Sequence, residues 1–174
     1  MKAAYTPVGP GFAPICGTHA KALILGSFPS PKSREQGFYY GHPQNRFWRL
    51  LALLTGAPEP KTIAEKTALI LQNDLALWDT VQSCEIRGAS DASMRSVQPN
   101  DVAALVRRLG VQAVFCNGAA SGRVYAKYAQ AAAGIPAVVL PSTSPANAAW
   151  SMERLQQAWG NELGKYINGV SLAK

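Results

Sequence analysis

The chain has 174 residues, room for one domain and too little for two ordinary ones. Hydrophobic residues make up 48% and charged residues 16%, which fits a filled globular core and excludes a disordered chain. Lys and Arg number 17 against 10 Asp and Glu, a net charge of +7, and such a surplus suits a polyanionic partner without bearing on fold. In chain order, the apolar run Ala22 to Leu25, ended by Gly26, predicts a buried strand. A polar, aromatic loop follows from Ser27 to Gln44. From Asn45, apolar residues at helical spacing (Phe47, Leu50, Leu51, Leu54) predict a helix that stops at Gly56. A second helix is expected from about Glu59 to Gln72, with Pro58 and Pro60 at its start. Leu75 to Trp78 reads as a second strand, and the Ser-rich stretch Gly88 to Asn100 as a loop. Asn100 can cap a helix to Leu109 that Gly110 closes. Val111 to Cys116 is a third strand, Ser121 to Ala133 an Ala-rich helix, and Ala137 to Leu140 a fourth strand. After the loop Pro141 to Asn147, Asn147 can cap a last helix reaching about Ile167.

Strands that are apolar throughout and separated by helices imply a parallel sheet covered on both faces. The expectation is an α/β fold, a three-layer α/β/α sandwich with a four-stranded parallel sheet, as one domain over residues 1–174. Cys16, Cys84 and Cys116 are odd in number and widely spaced, with no Cys-x-x-Cys and no Cys–His cluster. No disulfide framework, metal, iron–sulfur cluster or cofactor is expected, and His19 and His42 are too isolated for a His-based site. No apolar run reaches the roughly 18 residues of a membrane span, and the N-terminus lacks a signal-peptide stretch. A cytoplasmic monomer away from membranes is the expectation.

In open parallel sheets ligands bind at the carboxyl ends of the strands. Three unusual segments land there. Gly26 to Trp48 interleaves Phe28, Phe38, Tyr39, Tyr40, Phe47 and Trp48 with Lys32, Arg34, Arg46 and Arg49, a pattern suited to stacking on bases beside phosphates. Phe47 and Trp48 are also candidates for plain core, and Asn45 for a plain helix cap. Leu140 to Asn147 is a stiff loop of hydroxyls and prolines that can bind phosphate, or an ordinary turn. Asn117, at a strand end, can read a base edge with its carbonyl and amide, or form a local turn. There is no GxGxxG, Walker A, GxSxG or HExxH motif. No carboxylate falls in the turn Gly26–Ser30, where a strand-end general base is expected, and Asp79 is the one carboxylate placed near the ligand edge.

GSFPS (residues 26–30), YYGHPQNRFW (39–48) and LPSTSPAN (140–147), with the tract 76–94 and Asn100–Asp101, resemble the uracil-DNA glycosylase superfamily, and within it the hypoxanthine-DNA glycosylase (DNA-deoxyinosine glycosylase) branch. The resemblance runs from about Leu23 to the last helix. It implies a four-stranded parallel sheet between helices, and monofunctional hydrolysis of the N-glycosidic bond of deaminated bases flipped out of DNA: hypoxanthine, with uracil or xanthine beside it. Base excision repair is the implied setting. Many superfamily members carry Asp or Asn in the water-activating motif, where this chain has Ser27 and Phe28. The branch places an Asn in the GHPxN segment, which maps onto Asn45; an amide takes no proton at neutral pH, so Asn45 would position water. Asn117, and after it Asp79, would read the base, and Phe28, Tyr39 or Tyr40 would stack on it. Ser142, Ser144 and Asn147 would contact the DNA backbone, with Lys32 and Arg46 adding charge. The last loop offers only Ala146, Asn147 and small neighbours as a wedge, so a wedge would come from Arg154 or another loop. A uracil- or mismatch-specific glycosylase and a non-catalytic DNA-binding domain of the same fold are the alternatives.

Overall fold

Four apolar runs pair side by side in parallel in the computed structural model of the protein, which describes residues 3–88 and 90–167. The ends of the expected domain, residues 1–2 and 168–174, lie outside those bounds. The elements in order are β1 (Thr6–Val8), β2 (Ala22–Gly26), α1 (Pro31–Gln36), α2 (Phe47–Thr55), α3 (Ile63–Gln72), β3 (Leu75–Asp79), β4 (Val81–Ile86), β5 (Arg95–Pro99), α4 (Val102–Leu109), β6 (Ala113–Asn117), α5 (Ala119–Tyr128), α6 (Gln130–Ala133), β7 (Ala137–Leu140) and α7 (Met152–Leu163). The main sheet has the order β3-β2-β6-β7. Its register sets Gly26 beside Asp79 and Asn117 beside Leu140, so the carboxyl ends of the four strands form one edge.

Every residue of β2 is buried because helices cover both faces of the sheet. Ile24, Leu77 and Phe115 pack on one face against Leu50 of α2, Ile70 of α3 and Trp159 of α7. Leu23, Leu25 and Val114 pack on the other against Leu105 of α4 and Tyr125 of α5. This is the three-layer sandwich expected from the apolar runs.

Several local expectations are corrected. The loop Ser27–Gln44 contains α1, which starts on the Ser30 side-chain cap with Pro31 in the first turn. The loop Gly88–Asn100 contains β5, and β1, β4 and β5 form a second, antiparallel sheet. Helix α3 begins at Ile63, capped by Thr62, because Pro58 and Pro60 precede the capping residue rather than lead the helix. Asp101, not Asn100, caps α4, and Ser151, not Asn147, caps α7. The third strand starts at Ala113 instead of Val111, and the Ala-rich helix breaks at Ala129 into α5 and α6.

Candidate active site

A cleft of about 870 Å³ opens at the carboxyl edge of the main sheet. Its wall includes Gly26 to Pro31, Asn45, Asp79, Asn117 to Ala120 and the loop Leu140 to Ser144. Two glycines make room for it. A Cβ on Gly26 would strike the Asp79 carboxyl and the Tyr40 hydroxyl. Gly118 has a φ of 93°, and a Cβ there would press on Ser142 at 3.2 Å.

Asn45 and Asn117 face each other through Thr143. The side-chain oxygen of Asn45 accepts from the Phe47 backbone N–H at 3.0 Å and from the Thr143 hydroxyl at 2.9 Å. Asn117 accepts from the Thr143 backbone N–H at 3.0 Å and donates through Nδ2 to the Thr143 hydroxyl at 3.0 Å. Backbone N–H groups only donate, so each amide must turn its oxygen toward them. Asn45 therefore caps the first amide of α2, as its position before the helix allows, and still keeps both N–H donors for a ligand. Asn117 keeps one N–H and one lone pair.

Asp79 ends β3 and is buried, with Oδ2 lacking any hydrogen-bond partner. Burial first, and the nearby Asp91 carboxylate second, push its pKa up to about 7. The Asn100 side chain holds the Asp79 backbone carbonyl at 2.8 Å. The Tyr40 hydroxyl is likewise buried, and burial first and Asp79 second raise its pKa against the pull of the neighbouring Asn117 amide. Tyr40 sits at φ 51°, with its ring 4.2 Å from that of Phe47. It offers the cleft a hydroxyl more than a free ring face. Tyr39 is core: 2% exposed, it packs edge-on to Phe12 and Phe38 and donates to the Ala13 carbonyl at 2.7 Å. Phe28 packs with Val81, Cys84 and Ile86, and Arg34 lies 5.6 Å from its ring centre, so at most one face is open to a base.

Ser27 donates to Asp91 at 2.5 Å. Asp91 sits on a single 3-10 turn, Asp91–Ser93, and the pairing brings a carboxylate to the turn after β2 where the local sequence has none. Burial raises the pKa of Asp91, against the pull of the Ser27 hydroxyl and Arg123. Sequence reasoning missed this residue because 64 positions separate the two partners. It missed Thr143 as well, one hydroxyl among three in the same loop.

The loop Pro141–Asn147 is stitched to itself and to α2. Ser142 Oγ accepts from the Ser144 amide at 3.1 Å, Ser144 Oγ from the Ala146 amide at 3.2 Å, and Asn147 donates to the Ser142 carbonyl at 3.0 Å. Arg46 donates to the carbonyls of Ser144 at 3.0 Å, Asn147 at 3.1 Å and Trp150. The guanidinium of Arg46, the residue expected to add charge for DNA, is turned inward onto carbonyl oxygens and keeps its positive charge there. Trp159 donates to the Pro141 carbonyl at 2.9 Å and meets Phe47 edge-on at 6.1 Å. Lys32 lies on exposed α1, 3.4 Å from Glu35, outside the residues lining the cleft.

Among the described residues no three His, Cys, Asp or Glu side chains gather as metal ligands, and no helix is long and apolar enough to cross a membrane. The chain is 31% identical over 147 residues to a hypoxanthine DNA glycosylase of Methanosarcina acetivorans, covering 83% of this chain and 91% of that one. It is 31% identical over 114 residues to a hypoxanthine DNA glycosylase of Methanosarcina barkeri, covering 64% of this chain and 72% of that one. A solution NMR structure of a candidate uracil DNA glycosylase from Methanosarcina acetivorans superimposes with a TM-score of 0.79 at 28% identity, over 92% of this chain and 99% of that one. The profile of the Uracil DNA glycosylase superfamily matches residues 13–162, the whole main sheet and nearly all of its helices together with the cleft. This chain belongs to that superfamily.

Proposed function

We propose that the protein is a monofunctional DNA glycosylase that hydrolyses the N-glycosidic bond of deaminated bases, with hypoxanthine the preferred base. The observation that carries this reading is the pairing, in one cleft, of a donor-only amide at Asn45 with a buried, unpartnered carboxyl at Asp79. The relatives' names support it. A flipped base enters at the strand ends. Asp79, Tyr40 and Asn117 supply the polar groups that read its edge. The N–H groups of Asn45 hold a water through its oxygen, so both water protons point to other acceptors.

The reaction breaks the C1′–N bond, with its electron pair leaving on the base. The water oxygen bonds to C1′ and loses one proton, and the base takes one up. A dissociative, oxocarbenium-like sugar needs only a positioned water for this. Asp91, beside Ser27, is the acceptor for the water proton, and the neutral carboxyl of Asp79 is the donor to the departing base. Among the described residues no lysine lines the cleft, which fits hydrolysis without a Schiff-base lyase step.

The test is alkaline strand cleavage of a duplex with one deoxyinosine, beside a matched deoxyuridine duplex. Cleavage at deoxyinosine is expected, and Asn45→Ala should lower the rate about 10²–10³-fold while duplex affinity holds. Cleavage confined to deoxyuridine would move the substrate to uracil. Binding without cleavage at either would leave a non-catalytic DNA-binding domain.

A further inference from the structure

We propose that Thr143 is a positioning residue, whose buried hydroxyl fixes the faces that Asn45 and Asn117 turn to the substrate. The inference rests on the glycosylase reading above and adds a residue to it. Thr143 is fully buried (0% exposed), so water does not stand in for its hydroxyl. Its backbone N–H already occupies the Asn117 oxygen. Asn117 Nδ2, at 3.0 Å, can only donate to Oγ1. The single hydroxyl proton is thus left one acceptor, Asn45 Oδ1, at 2.9 Å. One arrangement of protons satisfies all three side chains, and in it Asn45 has both lone pairs filled.

The chemical consequence is specific. With its oxygen filled twice, Asn45 can engage only acceptors: the oxygen of a water, or a carbonyl or ring nitrogen of a base. Without the Thr143 hydroxyl, one lone pair of Asn45 opens and one N–H of Asn117 loses its partner. A water bound at Asn45 can then turn a proton toward the amide, away from the acceptor it must reach. The neighbours do not share this role. Ser142 and Ser144 spend their oxygens on loop amides two residues on. The β-branch of Thr143 also restricts χ1, which holds the hydroxyl in place.

The experiment compares wild type with Thr143→Ser, Thr143→Ala and Thr143→Val. Four quantities are read: the single-turnover rate on a deoxyinosine duplex, duplex affinity, the thermal midpoint, and the side-chain amide signals of Asn45 and Asn117 in ¹⁵N-labelled protein. Wild type and the serine variant should be fast. The alanine and valine variants should be slower by about 10²-fold with duplex affinity held, because a small misplacement near the reacting atoms costs about that much. The two amide signals should move in the alanine and valine variants and stay near their wild-type positions in the serine variant. Wild-type rates in alanine and valine, or unmoved amide signals, would overturn the proposal and leave the glycosylase reading standing. An alanine variant that fails to fold beside a folded serine variant would overturn it too, since the hydroxyl would then serve the fold. An inactive wild type would overturn the glycosylase reading, and the amide signals would still judge Thr143.

Discussion

Burying a carboxyl without a charge partner drives it toward its neutral form, and Asp79 is held that way in the cleft. In the unfolded chain it titrates near its ordinary value of 3.8, and in the folded protein at about 7. The folded state therefore binds the proton more tightly, and the stability this confers is full below the lower value. It drains away between the two and is gone above about pH 7. Asp79→Asn, which cannot ionise, should melt higher than wild type at pH 8 and lose that advantage toward pH 4, as thermal melts across pH would show. If neutral Asp79 gives the proton to the base, the wild-type rate should fall as pH rises through about 7 and the variant should show a flat, low profile. A wild-type rate that rises through that range would remove Asp79 as the donor. Asp79 was visible in the sequence because it closes an apolar strand. Asp91 was not, because only the folded chain sets it beside Ser27.

At the scale of elements, β2, β3 and β6, the largely buried strands, announce themselves as unbroken apolar runs, and the edge strand β7 was legible from the same pattern although Val138 and Val139 are exposed. The small antiparallel sheet was not. β4 mixes exposed and buried residues, β5 is largely exposed, and β4 follows β3 after only Thr80, so neither run stands out from a loop. Helix α1 hid for another reason: six residues carry no apolar period, and only the Ser30–Pro31 start betrays it. The loop after β7 was legible as a stiff polar segment, but its tether to α2 was not, since that tether is the Arg46 side chain. Arg46→Ala should cost about 2 kcal/mol in urea unfolding, because it leaves several carbonyls without a charged donor. Arg46→Lys should recover little, as an ammonium cannot reach three carbonyls the way a planar fork does. A variant as stable as wild type would mean that the loop holds itself.

For the whole molecule, the net charge of +7 belongs to recognition and not to fold. Duplex affinity should fall at least about tenfold between low and physiological salt, as phosphate contacts release counterions. A flat salt response would take DNA away as the partner of this surface. The layered architecture followed from hydrophobic pattern alone, whereas the hydrogen bonds that arm the cleft join residues about a hundred positions apart. Trp159 extends that reach to the last helix. One indole carries the Pro141 carbonyl on its nitrogen and the Phe47 ring against its edge, so the two jaws of the cleft hang from a common hinge pin. The same indole is buried against Ile24, Leu77 and Phe115 of the sheet, so damage to that pin would open a void in the core and let both jaws drift out of step at once.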